Sequence, residues 1–231
     1  MASKCAPGVV GPRRWLTVLA MGTSARQRSA VASTQRGQRT RAAIVDVAAT
    51  MMYQDGVATA TLDDILAASG TGKSQLYYYF SDKSDLVAAV IERQIERVLE
   101  AQPGLADVDS MEGIERWARQ VLTRHRQPGG PFACPLGSIA AELKNDPAFR
   151  PALAAAFRRW EQPLAQGLRR MRARGDLARR ENPDRLAAVT IAALQGGMLL
   201  GRISGDITPL RDALNMAVDN IRRRLTEPEA A

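Results

Sequence analysis

Three times in the C-terminal half of this chain a polar residue stands directly before a proline: Asp146-Pro147, Asn182-Pro183 and Thr208-Pro209. The side-chain oxygen of such a residue satisfies a free backbone N–H. Proline at the first helical position gives up a hydrogen bond that no helix forms there. The pairs therefore predict helices beginning near residues 147, 183 and 209 and running to about Arg174, Ser204 and Leu225. Gly175 and Gly205 supply the first two stops, and Pro163, inside the first helix, predicts a kink. A segment punctuated this way leaves no room for strands, so the expected fold class is all-α.

The N-terminal half agrees. Ile44, Val47, Ala48 and Met51 repeat at i, i+3, i+4 and i+7, and Gly56 stops that helix. Thr61 caps a short helix over Leu62 to Ala68, with Ile65 and Leu66 inward, and Ser69-Gly70 ends it. A second short helix covers about Lys73 to Phe80. Ser81 or Asp82 opens a longer one through Leu86, Val90, Ile91, Ile95 and Val98, closed by Pro103-Gly104. A further helix fits Met111 to Arg124. Residues 127–136 read as a loop, followed by a short helix to Lys144. No alternating strand pattern and no internal repeat stands out.

Several chemistries are excluded. Cys5 and Cys134 are the two cysteines and His125 the one histidine. A disulfide framework, a cysteine-based zinc site and a histidine-rich metal centre all need more. No metal or other cofactor is expected. No apolar run approaches the roughly 18 residues of a membrane span, and no membrane partner is expected.

Charge is concentrated. Lys4, Arg13, Arg14, Arg26, Arg28, Arg36, Arg39 and Arg41 stand in the first 41 residues without an Asp or Glu. The chain's net charge is +8, so the body is neutral and the arm holds the excess. Such an arm reads as attraction to a polyanion or as a solvated tail. Residues 1–35 form a disordered basic extension on this reading. Two others compete: a start at Met21, and a twin-arginine signal built on Arg13-Arg14.

Residues 61–80 carry the most specific chemistry. Two short helices joined by a glycine turn, after a longer first helix, form a three-helix DNA-binding arrangement whose last helix enters the major groove. Thr71, Gly72, Lys73, Ser74 and Gln75 crowd the start of that helix, small enough for backbone approach to phosphates. Lys73 suits guanine and Gln75 adenine. Tyr77, Tyr78 and Tyr79 span about 200° of the helix circumference, so at least one faces DNA. The same stretch holds a decoy: Ala67 to Ser74 fits a loose phosphate-loop pattern. A capped helix precedes it where a strand is required, and its first glycine position is Ala67. A nucleotide-binding enzyme is the remote alternative; the expectation is no enzyme.

Gly56, the run Thr59 to Gly70, the run Lys73 to Phe80, and Lys83 together resemble the N-terminal domain of TetR-family transcriptional repressors. Cys134 to Ser138 and Ala140 to Leu143 are similar to the opening of the ligand domain in the LmrA/YxaF-like subgroup. The resemblance implies a cytoplasmic homodimer. Residues 36–84 would form the helix-turn-helix domain, residues 85–226 a helical ligand-binding and dimerisation domain, and 227–231 a tail. It implies a palindromic operator in double-stranded DNA and a small-molecule effector; a TetR-type DNA binder without an effector is the alternative. By position, Thr61, Lys73, Ser74, Gln75, Tyr77, Tyr78, Tyr79 and Lys83 are the expected DNA contacts, joined by Thr71, Gly72, Arg39 and Arg41. Gly72 stands where serine is usual and Tyr79 where many members have histidine.

The expected effector pocket is lined by Trp117, Val121, Phe132, Cys134, Phe149, Leu153, Phe157, Trp160, Gln195 and Met198. Plain core is the competing reading for each. Ile191, Leu194, Met198, Leu199, Leu210, Leu214, Val218 and Ile221 are the expected dimer interface, or core in a monomer. His125 and Arg222 to Arg224 sit near helix ends, where a solvated cation is expected.

Overall fold

The computed structural model describes residues 34–126 and 133–226. The expectations for the N-terminal extension, the 127–132 stretch with Phe132, and the tail lie outside the described residues. Nine α-helices are present among those described: α1 Gln35–Gln54, α2 Leu62–Ser69, α3 Lys73–Tyr79, α4 Lys83–Glu100, α5 Met111–His125, α6 Pro135–Leu143, α7 Arg150–Arg174, α8 Pro183–Ser204 and α9 Thr208–Arg222. A 3-10 turn, Pro103–Asp107, links α4 to α5.

Caps set most of these boundaries. Thr34, Thr61, Asp82, Ser110 and Asn182 each accept a backbone N–H at a helix start. Gly70, Gly175 and Gly205 close α2, α7 and α8 in the left-handed conformation. Two proline-marked starts shift. Asp146 Oδ1 accepts the Ala148 N–H at 2.9 Å, forming a turn ahead of the helix. So α7 begins at Arg150, with Pro151 in its first turn. Asp206 Oδ1 accepts the Thr208 N–H at 3.1 Å, so Thr208 is the first residue of α9 and not its cap. Helix α7 runs through Pro163 to Arg174.

α1 to α3 pack around Ile44, Ala48, Met52, Ile65, Leu76 and Phe80. α4 joins this unit to the larger one. Its Arg93 and Arg97 grip Asp46 of α1 at 2.7 and 2.9 Å. Burial alone would raise the Asp46 carboxyl, but hydrogen bonds and charge from the two guanidiniums outweigh it and hold the group below its usual range. In the larger unit α8 packs against α9 and α7. The contact with α9 is close: a Cβ at Gly197 would lie 2.7 Å from Leu210 Cα.

α8 corrects one exclusion. A stretch of 18 residues within its 22 reaches a mean hydropathy of 1.5, long and apolar enough by composition to cross a membrane. In the fold it is a core helix, with Leu186, Ala187, Ile191, Leu194 and Met198 buried. Arg222 also departs from the solvated reading: it bridges α9 to α5 through Glu115 at 2.7 Å. Arg224 pairs with Glu181 at 3.1 Å.

Candidate nucleic-acid interface and effector cavity

The turn between α2 and α3 is fixed by Gly70 at φ 64° and by a 2.6 Å hydrogen bond between the Ser69 and Thr71 hydroxyls. Gly72 then caps α3 with ordinary extended backbone, φ −79°. Its N–H is taken by Gln75 Oε1 at 3.2 Å. Leu76 and Phe80 anchor the helix in the core, which leaves Lys73, Ser74, Gln75 and Tyr77 on the outside. The exposed residues thus stand together on one short helix.

The other expected contacts divide. Tyr77 is 47% exposed, whereas Tyr79 packs against the core and meets Tyr78 edge-on at 5.1 Å. Of the three rings, Tyr77 is the one most open to a partner. Thr61 first serves α2: its hydroxyl accepts the Asp64 N–H and donates to the Asp64 carboxylate. Lys83 Nζ reaches the Ala58 carbonyl at 3.5 Å, tying the start of α4 to the loop before α2. Arg39 is exposed on α1. The Arg41 guanidinium lies 5.2 Å over the Phe80 ring, a stacked position that holds its charge beside the end of α3.

A cavity of about 770 Å³ opens between α6, α7 and α8. Cys134, Phe157, Gln195 and Met198 line it. A second, of about 510 Å³, is lined by Val121, Trp160, Cys134 and Met198. Three expected lining residues lie elsewhere. Trp117 is fully buried, donates its indole N–H to Gln102 Oε1 at 3.1 Å, and borders a separate cavity of about 550 Å³ between α5 and the end of α4. Phe149 and Leu153 pack in the core at the start of α7 and line neither cavity. Residues that periodicity missed are Tyr53 of α1, on both cavities, and Glu161 and Arg202 on the larger. Burial raises the Glu161 carboxyl. Glu161 and Arg202 are charged, so they add nothing to an apolar periodic signal.

Cys134 caps α6, accepting the Gly137 N–H at 3.4 Å. Burial pushes its thiol up, away from reactivity. His125 is a correction: it is buried and lines the smaller cavity, not a surface cation. Burial lowers its pKa, and the neighbouring Arg124 charge adds to that.

The expected dimer surface is also corrected. Ile191, Leu194, Met198, Leu210, Leu214, Val218 and Ile221 are all buried within the single chain, where they join α8 to α7 and α9. Of the eight, Leu199 alone is exposed. The large apolar side chains left outside on these two helices are Val189, Leu199, Leu200, Ile203 and Met216. Periodicity had identified the stronger stripe, which the fold spends on its own core.

Comparison with known proteins places these features. Residues 44–90 match the family of bacterial regulatory proteins named tetR. Residues 110–216 match the C-terminal domain of LmrA/YxaF-like transcriptional regulators. The chain is 26% identical over 184 residues to the HTH-type transcriptional regulator LmrA of Bacillus subtilis, covering 76% of this chain and 94% of that one. It is 26% identical over 183 residues to an HTH-type regulator of Lactococcus lactis, covering 78% and 91%. A crystal structure of a TetR regulator from Chloroflexus aurantiacus superposes with a TM-score of 0.68 at 27% identity, covering 83% of this chain and 98% of that one.

Proposed function

The chain belongs to the TetR family of bacterial transcriptional regulators, and from that premise we propose that it is a cytoplasmic, ligand-responsive repressor that binds a palindromic operator as a homodimer. These regulators are not enzymes. One observation carries the reading. The chain joins an α3 with its polar residues turned outward to a helical unit enclosing a cavity of about 770 Å³, and Tyr53 of α1 belongs to the cavity wall. DNA-binding and cavity elements are therefore in contact.

The apolar residues left exposed on α8 and α9 supply a self-complementary face for a second copy. Two α3 helices in such a dimer would enter successive major grooves about 34–36 Å apart. Lys73 and Gln75 read bases, while Ser74, Lys83 and the arginines of α1 hold phosphates. An effector lodging between α6 and α8 mis-spaces the two α3 helices. It acts only by its different affinity for the two spacings. The mostly apolar lining favours an apolar or aromatic effector.

Selection of duplexes from a random pool, followed by footprinting, tests this directly. The expected result is two-fold symmetric protection on one face of the duplex. Protection without sequence preference would overturn the repressor reading. An operator affinity that no cavity-filling change can alter would leave a DNA binder without an effector.

A further inference from the structure

Helix α6 does more than wall the cavity. Cys134, Gly137, Ser138, Ala140 and Ala141 turn toward the cavity, and the next residue, Glu142, turns the other way. Its Oε2 accepts the backbone N–H of Val57 at 2.7 Å, across 85 residues of sequence. Val57 follows Gly56, which turns the chain at φ 91° just beyond α1 and its cap Asp55. A Cβ on Gly56 would lie 3.2 Å from that same carboxylate oxygen, so the glycine lets the carboxylate sit over the turn.

The bond lies on a short mechanical route. On its cavity side α6 meets the Gln195 side chain of α8: a Cβ on Gly137 would come 2.7 Å from Gln195 Oε1. A molecule that displaces the Gln195 amide and fills the space beside Gly137 and Ser138 bears directly on α6. On its other side α6 meets α1 and α4. Beyond Val57, the Ala60 N–H bonds to the Gly56 carbonyl at 3.1 Å, Thr61 caps α2, and Lys83 reaches Ala58. The turn at Gly56 to Ala60 therefore sets where α2, and with it α3, begins. Glu142 is exposed, so water can replace the bond at small cost, as a reversible tie requires.

We propose that the Glu142–Val57 hydrogen bond is the tie through which cavity occupancy reaches the DNA-binding domain. It is present in the DNA-competent arrangement and is lost when α6 is displaced. Glu142 is a positioning residue: it touches neither DNA nor effector. The inference rests on the effector reading of the cavity and adds the route by which that cavity acts.

A double-mutant cycle on affinity for a duplex selected from a random pool tests it without a known effector. Ala188→Trp, on the α8 wall of the cavity, acts as a built-in occupant. It is expected to weaken DNA binding about tenfold, within the roughly 5–150-fold range of allosteric coupling. In the Glu142→Ala background the added loss should fall below about threefold, because the tie is already gone. Glu142→Gln keeps a carbonyl acceptor and should restore most of the response. Amide exchange at Val57 should accelerate in Glu142→Ala and not in Glu142→Gln, with thermal unfolding confirming that both are folded. Losses that multiply independently of Glu142 would overturn the tie while leaving the effector cavity standing. No effect of Ala188→Trp on its own would overturn the effector reading itself.

Discussion

Gly72 offers a way to separate folding from DNA contact at one position. Its backbone, φ −79° and ψ 154°, suits any residue, and a Cβ there meets nothing closer than Ser74 Oγ at 4.0 Å. Serine and aspartate both fit, and both cap a helix better than glycine by a few tenths of a kcal/mol, roughly. Losing glycine's freedom in the unfolded chain adds about 0.4–1 kcal/mol. Both variants should therefore gain about 1 kcal/mol, raising Tm by about 2–4 °C for a chain of this size. Against DNA they should part. A serine hydroxyl donating to a phosphate is worth about 0.5–1.5 kcal/mol, up to roughly tenfold per half-site. An aspartate about 5 Å from a phosphate, at an effective dielectric of about 40–80, costs about 1–2 kcal/mol per half-site. Across two half-sites that is roughly a hundredfold loss. Fluorescence anisotropy with a labelled duplex, alongside thermal unfolding, reads both quantities. If Gly72→Asp binds DNA as tightly as the parent chain, the start of α3 does not face the phosphate backbone and the proposed docking is wrong.

Two further outcomes follow from the geometry. Ile203→Glu places a charge on the most exposed large apolar side chain of α8; sedimentation should report a monomer that remains helical, and an unchanged dimer would place the interface elsewhere. Acid stability should decline in two windows. His125 has a depressed folded pKa, so the unfolded chain takes up the proton first and stability falls as pH drops below about 6.5. Asp46, also depressed, contributes stability that is whole above about 3.9 and is lost as pH falls through its folded value. Thermal scans should lose the upper step in His125→Gln; an identical pH profile would show that His125 does not carry it.

The sequence was legible where chemistry is local. Caps at Thr61, Asp82 and Asn182, stops at Gly70, Gly175 and Gly205, and the run Lys73 to Phe80 each declare themselves within a few residues. The cavity was legible only in part, because apolar periodicity marks burial without saying what is buried against what. Trp117 and Phe149 carry the same pattern as Phe157 and Trp160, yet only the latter pair reach the two cavities beside Cys134. The same limit holds for the apolar stripe on α8 and α9, which belongs to the single chain's own core. The place of His125 in the last turn of α5 suggests a solvated cation, yet the residue is buried and shares a cavity wall with Val98, Pro135 and Trp160.

Helix α8 has a consequence for how such a chain can diversify. Ile191, Gln195 and Met198 face a cavity on one side, Gly197 fits against Leu210 on another, and Leu200 and Ile203 lie bare on a third. Nearly every position on it is answerable to a different neighbour. Drift toward a new effector is cheapest elsewhere, on α6 and at the end of α1. There Ser138, Ala141 and Tyr53 can change the shape of the cavity while α8 keeps its fit. Lineages descended from such a chain should therefore vary in their cavities along one wall and hold still along the other.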